Sequence, residues 1–195
     1  MADNFSILDY IGATIGLRAS EDSNSKKASV IVSEMATVGT SFTRPNDTTA
    51  YAVDDAIANA TSGASVLTFA GMARNTGMGG TIVGAALLVA NKATVAAEFH
   101  LMLYDTSPTA QNDNAAFAHG ANDLGYLVGT LMFTPALMTD QGGGSYPFRV
   151  YQAVNLPLAY RCAATGLYGL LKTRTAYTPA AQTLYRIRMD VIKES

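Results

Sequence analysis

Leu184-Tyr185-Arg186-Ile187-Arg188-Met189-Asp190-Val191 alternates strictly, with Tyr185, Ile187, Met189 and Val191 on one side and Leu184, Arg186, Arg188 and Asp190 on the other. A period of two is the mark of a β-strand that turns one face to a core and the other to solvent or a partner. Upstream, Phe99, Leu101 and Leu103 alternate in the same way with Glu98, His100, Met102 and Tyr104. With these two, strands are expected over Val30 to Thr43, Ser65 to Ala70, Thr81 to Val89, Ala97 to Tyr104, Tyr126 to Phe133, Arg149 to Asn155, Leu167 to Thr173 and Thr183 to Ile192. Turn residues separate them at the spacing of an all-β domain. Eight such strands suit a β-sandwich of jelly-roll type. Helices are expected to be scarce: Asp54 to Ala60 and the stretch after Asp113 or Asn114 are long enough for a turn only.

The N-terminal end differs from this body. Phe5, Ile7, Leu8, Tyr10, Ile11, Ile15 and Leu17 make it too apolar for a free tail, while Gly12 and Gly16 interrupt any helix. Residues 18–28 follow as a polar tract without hydrophobic period. The expected organisation is therefore an N-terminal arm with its linker over residues 1–28 and a sandwich domain over residues 29–195. The seven apolar residues of the arm are the candidate partner-binding set.

With 195 residues the chain is long enough for one domain with a substantial core. The 13 basic and 15 acidic residues give a formal charge of −2, which lacks the positive field that phosphate contacts require, so nucleic acid is not expected as a partner. Only 14% of residues are charged and 49% are apolar, against roughly 25% charged in ordinary soluble domains. Part of the apolar surface is expected between subunits. Cys162 is the lone cysteine, so stability has to come from packing or assembly instead of an intrachain disulfide. Asp3 and Asp9 stand where a signal peptide needs basic residues, and no apolar run reaches the roughly 20 residues of a membrane helix. Synthesis in the cytoplasm is the expectation, with no membrane partner.

Nothing in the chain composes a catalytic motif. The glycine-rich run Gly71 to Gly80 lacks the lysine and hydroxyl ending of a phosphate loop and leads into a strand, so it reads as a turn. Gln141-Gly142-Gly143-Gly144-Ser145 reads as a loop. His100, His119 and Cys162 form no metal spacing, and no Gly-x-Ser-x-Gly elbow occurs. Asp105, Asp113, Asp123 and Asp140 do not space as a calcium loop and read as solvated carboxylates. No cofactor, metal or enzymatic activity is expected. Tyr146, Tyr151, Tyr160, Tyr168 and Tyr177 offer aromatic faces that suit either a glycan or ordinary half-buried strands.

Three segments carry a resemblance. Phe42-Thr43-Arg44-Pro45-Asn46-Asp47-Thr48-Thr49-Ala50-Tyr51-Ala52-Val53-Asp54-Asp55 is the first; Leu103-Tyr104-Asp105-Thr106-Ser107-Pro108-Thr109 with Asn112-Asp113-Asn114-Ala115-Ala116-Phe117 is the second. Leu167-Tyr168-Gly169-Leu170-Leu171-Lys172-Thr173-Arg174-Thr175-Ala176-Tyr177-Thr178-Pro179 is the third. In this order they resemble tailed-bacteriophage virion structural proteins of the head-decoration, cement and head-fibre-like kind, which are built on a β-sandwich. The resemblance implies a place on the capsid surface of a virion, the major capsid protein as partner, a homo-oligomer with a trimer preferred, and a mechanical role. It implies no catalytic residue. The alternative is a host-glycan or receptor-binding module of a head or tail fibre, because sandwiches carry lectin functions as readily as structural ones.

Overall fold

The computed structural model describes residues 5–8, 14–17, 34–91, 96–142 and 147–194. The chain divides into two compact units, residues 1–32 and 33–195. In the first, β1 (Phe5–Leu8) pairs antiparallel with β2 (Thr14–Leu17). The register sets Phe5 opposite Leu17 and Ile7 opposite Ile15, so these four positions fall on one face of the pair. Tyr10 and Ile11 lie outside the described residues.

The second unit is all-β. Its strands are β3 (Glu34–Thr43), β4 (Ala56–Ile57), β5 (Leu67–Phe69), β6 (Gly79–Ala90), β7 (Phe99–Tyr104), β8 (Leu127–Gln141), β9 (Phe148–Ala153), β10 (Leu158–Arg161), β11 (Leu167–Thr173) and β12 (Leu184–Lys193). They form one antiparallel sheet in the order β3-β12-β6-β9-β8-β7-β11-β4, with β10 also on β6 and β5 also on β11. The order is consistent with the jelly-roll expectation: divided between β9 and β8 it gives two four-stranded halves, β3-β12-β6-β9 and β8-β7-β11-β4. The one helical piece among the described residues is a 3-10 turn over Asp123–Tyr126.

The sheet has to curl, because its apolar face is larger than any other element could cover. β8 makes the corner. Its register on β9 jumps between Phe133 and Met138, and Pro135 sits in the gap, where a residue without an N–H removes no ladder bond. The first half of β8 thus pairs with β7 and the far end with β9. The curl brings Phe99 of β7 against Tyr151 of β9 at a ring-centroid distance of 5.3 Å and against Tyr177 at 6.0 Å, both edge-on. Phe69, Ile82, Leu87, Leu101, Leu131 and Ile187 fill the space between the halves.

Burial along β12 follows the alternation expected of it: Tyr185, Ile187, Met189 and Val191 are buried, Arg186 and Arg188 exposed. β7 departs from that pattern. Phe99, Leu101 and Leu103 enter the main core, but Met102 and Tyr104 on the other face are buried too. There they form a second cluster with Leu170, packed by Val66, Phe117, Leu127 and Tyr168. The cover is the connection between β7 and β8, which supplies Phe117. Two other expectations are corrected. Asp54 to Ala60 holds the two-residue strand β4 instead of a helical turn. Asn114 adopts a left-handed φ of 60° in a tight turn and opens no helix.

Candidate functional site

Arg44 directly follows β3, its amide bonded to the Thr183 carbonyl at 3.0 Å. Pro45 then fixes the backbone, and the guanidinium points inward with its side chain fully buried. Burial of a cation is tolerable only where its donors are satisfied. Here Nε donates to the Tyr51 hydroxyl at 3.1 Å, Nη2 to Asp47 Oδ1 at 2.8 Å and to Asp113 Oδ2 at 3.1 Å, and Nη1 to the Ala180 carbonyl at 3.3 Å and to the Asp47 carbonyl. Every N–H of the fork has an acceptor. Asp113 is equally enclosed: Oδ1 accepts from the Tyr51 hydroxyl at 2.6 Å and from the Ala58 amide at 2.9 Å.

The network runs on through aromatic rings. Tyr51 and Tyr177 exchange backbone hydrogen bonds of 2.9 and 3.3 Å, and their rings lie 5.3 Å apart. The Tyr177 and Tyr185 hydroxyls bond at 2.9 Å, and Tyr185 stacks on Phe42 at 5.2 Å. Burial raises the phenol pKa of Tyr51, Tyr177 and Tyr185 above the ordinary value. Desolvation alone would lower the Arg44 pKa, but the bonds to Tyr51 and Asp47 and the charge of Asp113 outweigh it and hold the cation above its usual range. Nearby, Asp54 has a φ of 68° and meets Lys172 at 2.8 Å as well as Arg174. Hydrogen bonds from these two cations, Lys172 first, hold the carboxyl below its ordinary value. The three resembling segments therefore close on one corner: Arg44, Asp47, Tyr51 and Asp54 from the first, Asp113 from the second, Lys172, Arg174 and Tyr177 from the third.

This arrangement holds together the loops that meet at the corner. The expected solvated carboxylates need correction. Asp113 and Asp123 are buried, the latter accepting from the Thr109 amide at 3.1 Å and the Gly120 amide at 2.9 Å. Asp140 meets Arg149 at 3.2 Å. The two histidines stand apart from each other and from the thiol in the contacts they make. His100 Nε2 lies 2.9 Å from Glu98 Oε1, and His119 Nδ1 lies 3.1 Å from the Tyr104 hydroxyl. Cys162 is buried, and burial pushes its thiol up to about 11. Among the described residues no group of three or more His, Cys, Asp or Glu side chains is placed to hold a metal ion. The glycine-rich run after β5 is tied down by bonds from the Ala73 amide to Thr165 and from the Gly77 amide to Ala164.

Of the tyrosines that could present an aromatic face, Tyr151, Tyr160 and Tyr177 are buried and Tyr168 is half-buried, while Tyr146 lies outside the described residues. Of the candidate partner-binding residues, Phe5, Ile7 and Leu8 lie in β1 and Ile15 and Leu17 in β2. Sequence reading missed Arg44 and Asp113 as partners; the Arg-Pro-Asn-Asp corner was the available signal. An open recess of about 310 Å³ lies on the outer face of β3 and β12, lined by Thr37, Gly39, Ser41, Arg186 and Arg188. No described helix is long and apolar enough to cross a membrane. Comparison with known proteins finds no matching family model, no matching curated protein and no matching solved structure.

Proposed function

We propose that the chain is a bacteriophage capsid decoration or cement protein that binds the outer surface of the head and bridges major capsid subunits. The observation that carries this reading is the convergence of the three resembling segments, which are scattered in sequence yet share one buried corner built around Arg44 and Asp113. An all-β unit whose buried Arg44 has every donor satisfied from within suits a role that resists force. Bridging would add buried area at roughly 25 cal/mol per Å² before ordering costs, and repetition over a shell would multiply a modest single-site affinity. A homotrimer matches threefold positions on such a shell. The apolar face of β1 and β2, with Phe5, Ile7, Ile15 and Leu17, is the proposed adhesive element. Tyr151, Tyr160 and Tyr177 are buried and so present no aromatic face to a glycan, which favours the structural reading over the glycan-binding one. A density map of purified virions tests the proposal: copies of this chain on the outer head surface support it, and their absence from the head overturns it.

A further inference from the structure

The two outer faces of the main unit are treated differently. Over β7 and β11 the outer face is closed by the chain itself, with Phe117 and Val66 packed on Met102, Tyr104 and Leu170. Over β3 and β12, Thr37, Gly39, Ser41, Arg186 and Arg188 are exposed, and on β6 the half-buried Gly84, Ala86 and Leu88 stand opposite Asp190, Arg188 and Arg186. Small residues make the recess. Gly39 stands directly opposite Arg188, and a Cβ there would meet the Ile187 carbonyl oxygen at 2.7 Å.

Charge decides what fits. Arg186 and Arg188 leave the same face of β12 about 7 Å apart, with Ser41 and Gly39 as their cross-strand neighbours. Arg188 is partly neutralised by Asp190 at 3.1 Å, whose Oδ1 also accepts from the Thr37 hydroxyl at 2.7 Å. Arg186 has no hydrogen-bond or ion-pair partner among the described residues. Two guanidiniums against one carboxylate leave a net positive recess with hydroxyls at its edge. No aromatic ring lines it, which disfavours a sugar. The chain's charge of −2 disfavours nucleic acid.

We propose that this recess is a docking site for an acidic segment of a neighbouring protein, whose carboxylates bind Arg186 and Arg188 above Gly39. It deepens the assembly reading and rests on it only for where the partner resides. The test is an NMR titration of the isotope-labelled full chain with a short peptide of alternating glutamate and serine, beside the same peptide carrying lysine for glutamate and beside sialyllactose. Saturable shifts at Gly39, Ser41, Arg186 and Arg188 with the acidic peptide alone are expected. Joint Arg186→Ala and Arg188→Ala substitution should weaken binding about tenfold or more, because charge-assisted bonds are lost. Ser41→Trp, which fills the recess and keeps both arginines, should weaken it too. All variants should melt as the parent does, since the changed side chains are exposed. The absence of saturable shifts at millimolar peptide overturns the proposal, as do unchanged binding in either variant or a response to sialyllactose alone. Virions that carry the chain on their heads while the acidic peptide fails to bind would refute this site and leave the assembly reading standing; peptide binding with the chain absent from heads would do the reverse.

Discussion

The rings of Phe99 and Tyr185 lie 6.1 Å apart and nearly edge-on, at 74°, although their strands stand four places apart in the sheet. In a flat sheet that separation would be about 19 Å at about 4.8 Å per strand. The contact is thus a measure of the curl, and it couples the two halves of the fold through one aromatic cluster that also contains Tyr151 and Tyr177.

The corner beside that cluster should be the most sensitive part of the unit. Arg44→Met leaves Asp113 buried without its cation and should cost about 3–5 kcal/mol in urea unfolding. Adding Asp113→Leu removes the orphaned charge and should recover part of the loss. A single-variant cost below about 1 kcal/mol would mean that water or relaxation replaces the ion pair.

Gly39 should resist enlargement. Its missing Cβ leaves the close approach to the Ile187 carbonyl, so Gly39→Val forces backbone movement and should destabilise by about 1–3 kcal/mol. Chemical denaturation of the purified variant measures this; an unchanged midpoint would show that β3 shifts freely on β12.

Acid should weaken the corner through its carboxylates. Asp54 is held low by Lys172 and Arg174, and Asp47 by the Thr49 amide and Arg44. A carboxyl whose folded pKa is depressed adds stability that is complete above its unfolded value, about 3.9, and is lost as pH falls through the folded one. Stability should therefore decline below about pH 4, and Asp54→Asn should flatten the decline. A variant with the parent's full acid slope would assign the effect elsewhere.

Cys162 should be unreactive in the folded protein. It is buried and its thiol sits near 11, so little thiolate forms at neutral pH. Mass spectrometry after iodoacetamide treatment should find it unmodified until denaturant is added; rapid labelling of the native chain would reveal local opening around β10.

Deletion of residues 1–17 should leave the unit of residues 33–195 with its strand content while lowering occupancy on capsids or self-association in light scattering. Undiminished attachment would remove the adhesive role proposed for Phe5, Ile7, Leu8, Tyr10, Ile11, Ile15 and Leu17.

Sequence alone determined the strand character of this protein, because a period of two is a local property of the chain. Leu184 to Val191 displays which side chains enter the core before any partner strand is known, and the expected strand over Leu167 to Thr173 coincides with β11. β4 and β10, with two and four residues, are too short to carry a period; they exist because β11 and β6 offer them free edges. Only the tertiary structure decided the fate of the polar residues. Arg44 and Asp113 are 69 positions apart and each reads as a loop residue. Whether such a group is solvated or buried depends on which segments meet around it, and the curl of the sheet brings those segments together. The same holds for Met102 and Tyr104, whose face is closed by a connection that arrives from outside the strand. Alternation records the backbone's geometry, while burial records the company that distant parts of the chain provide.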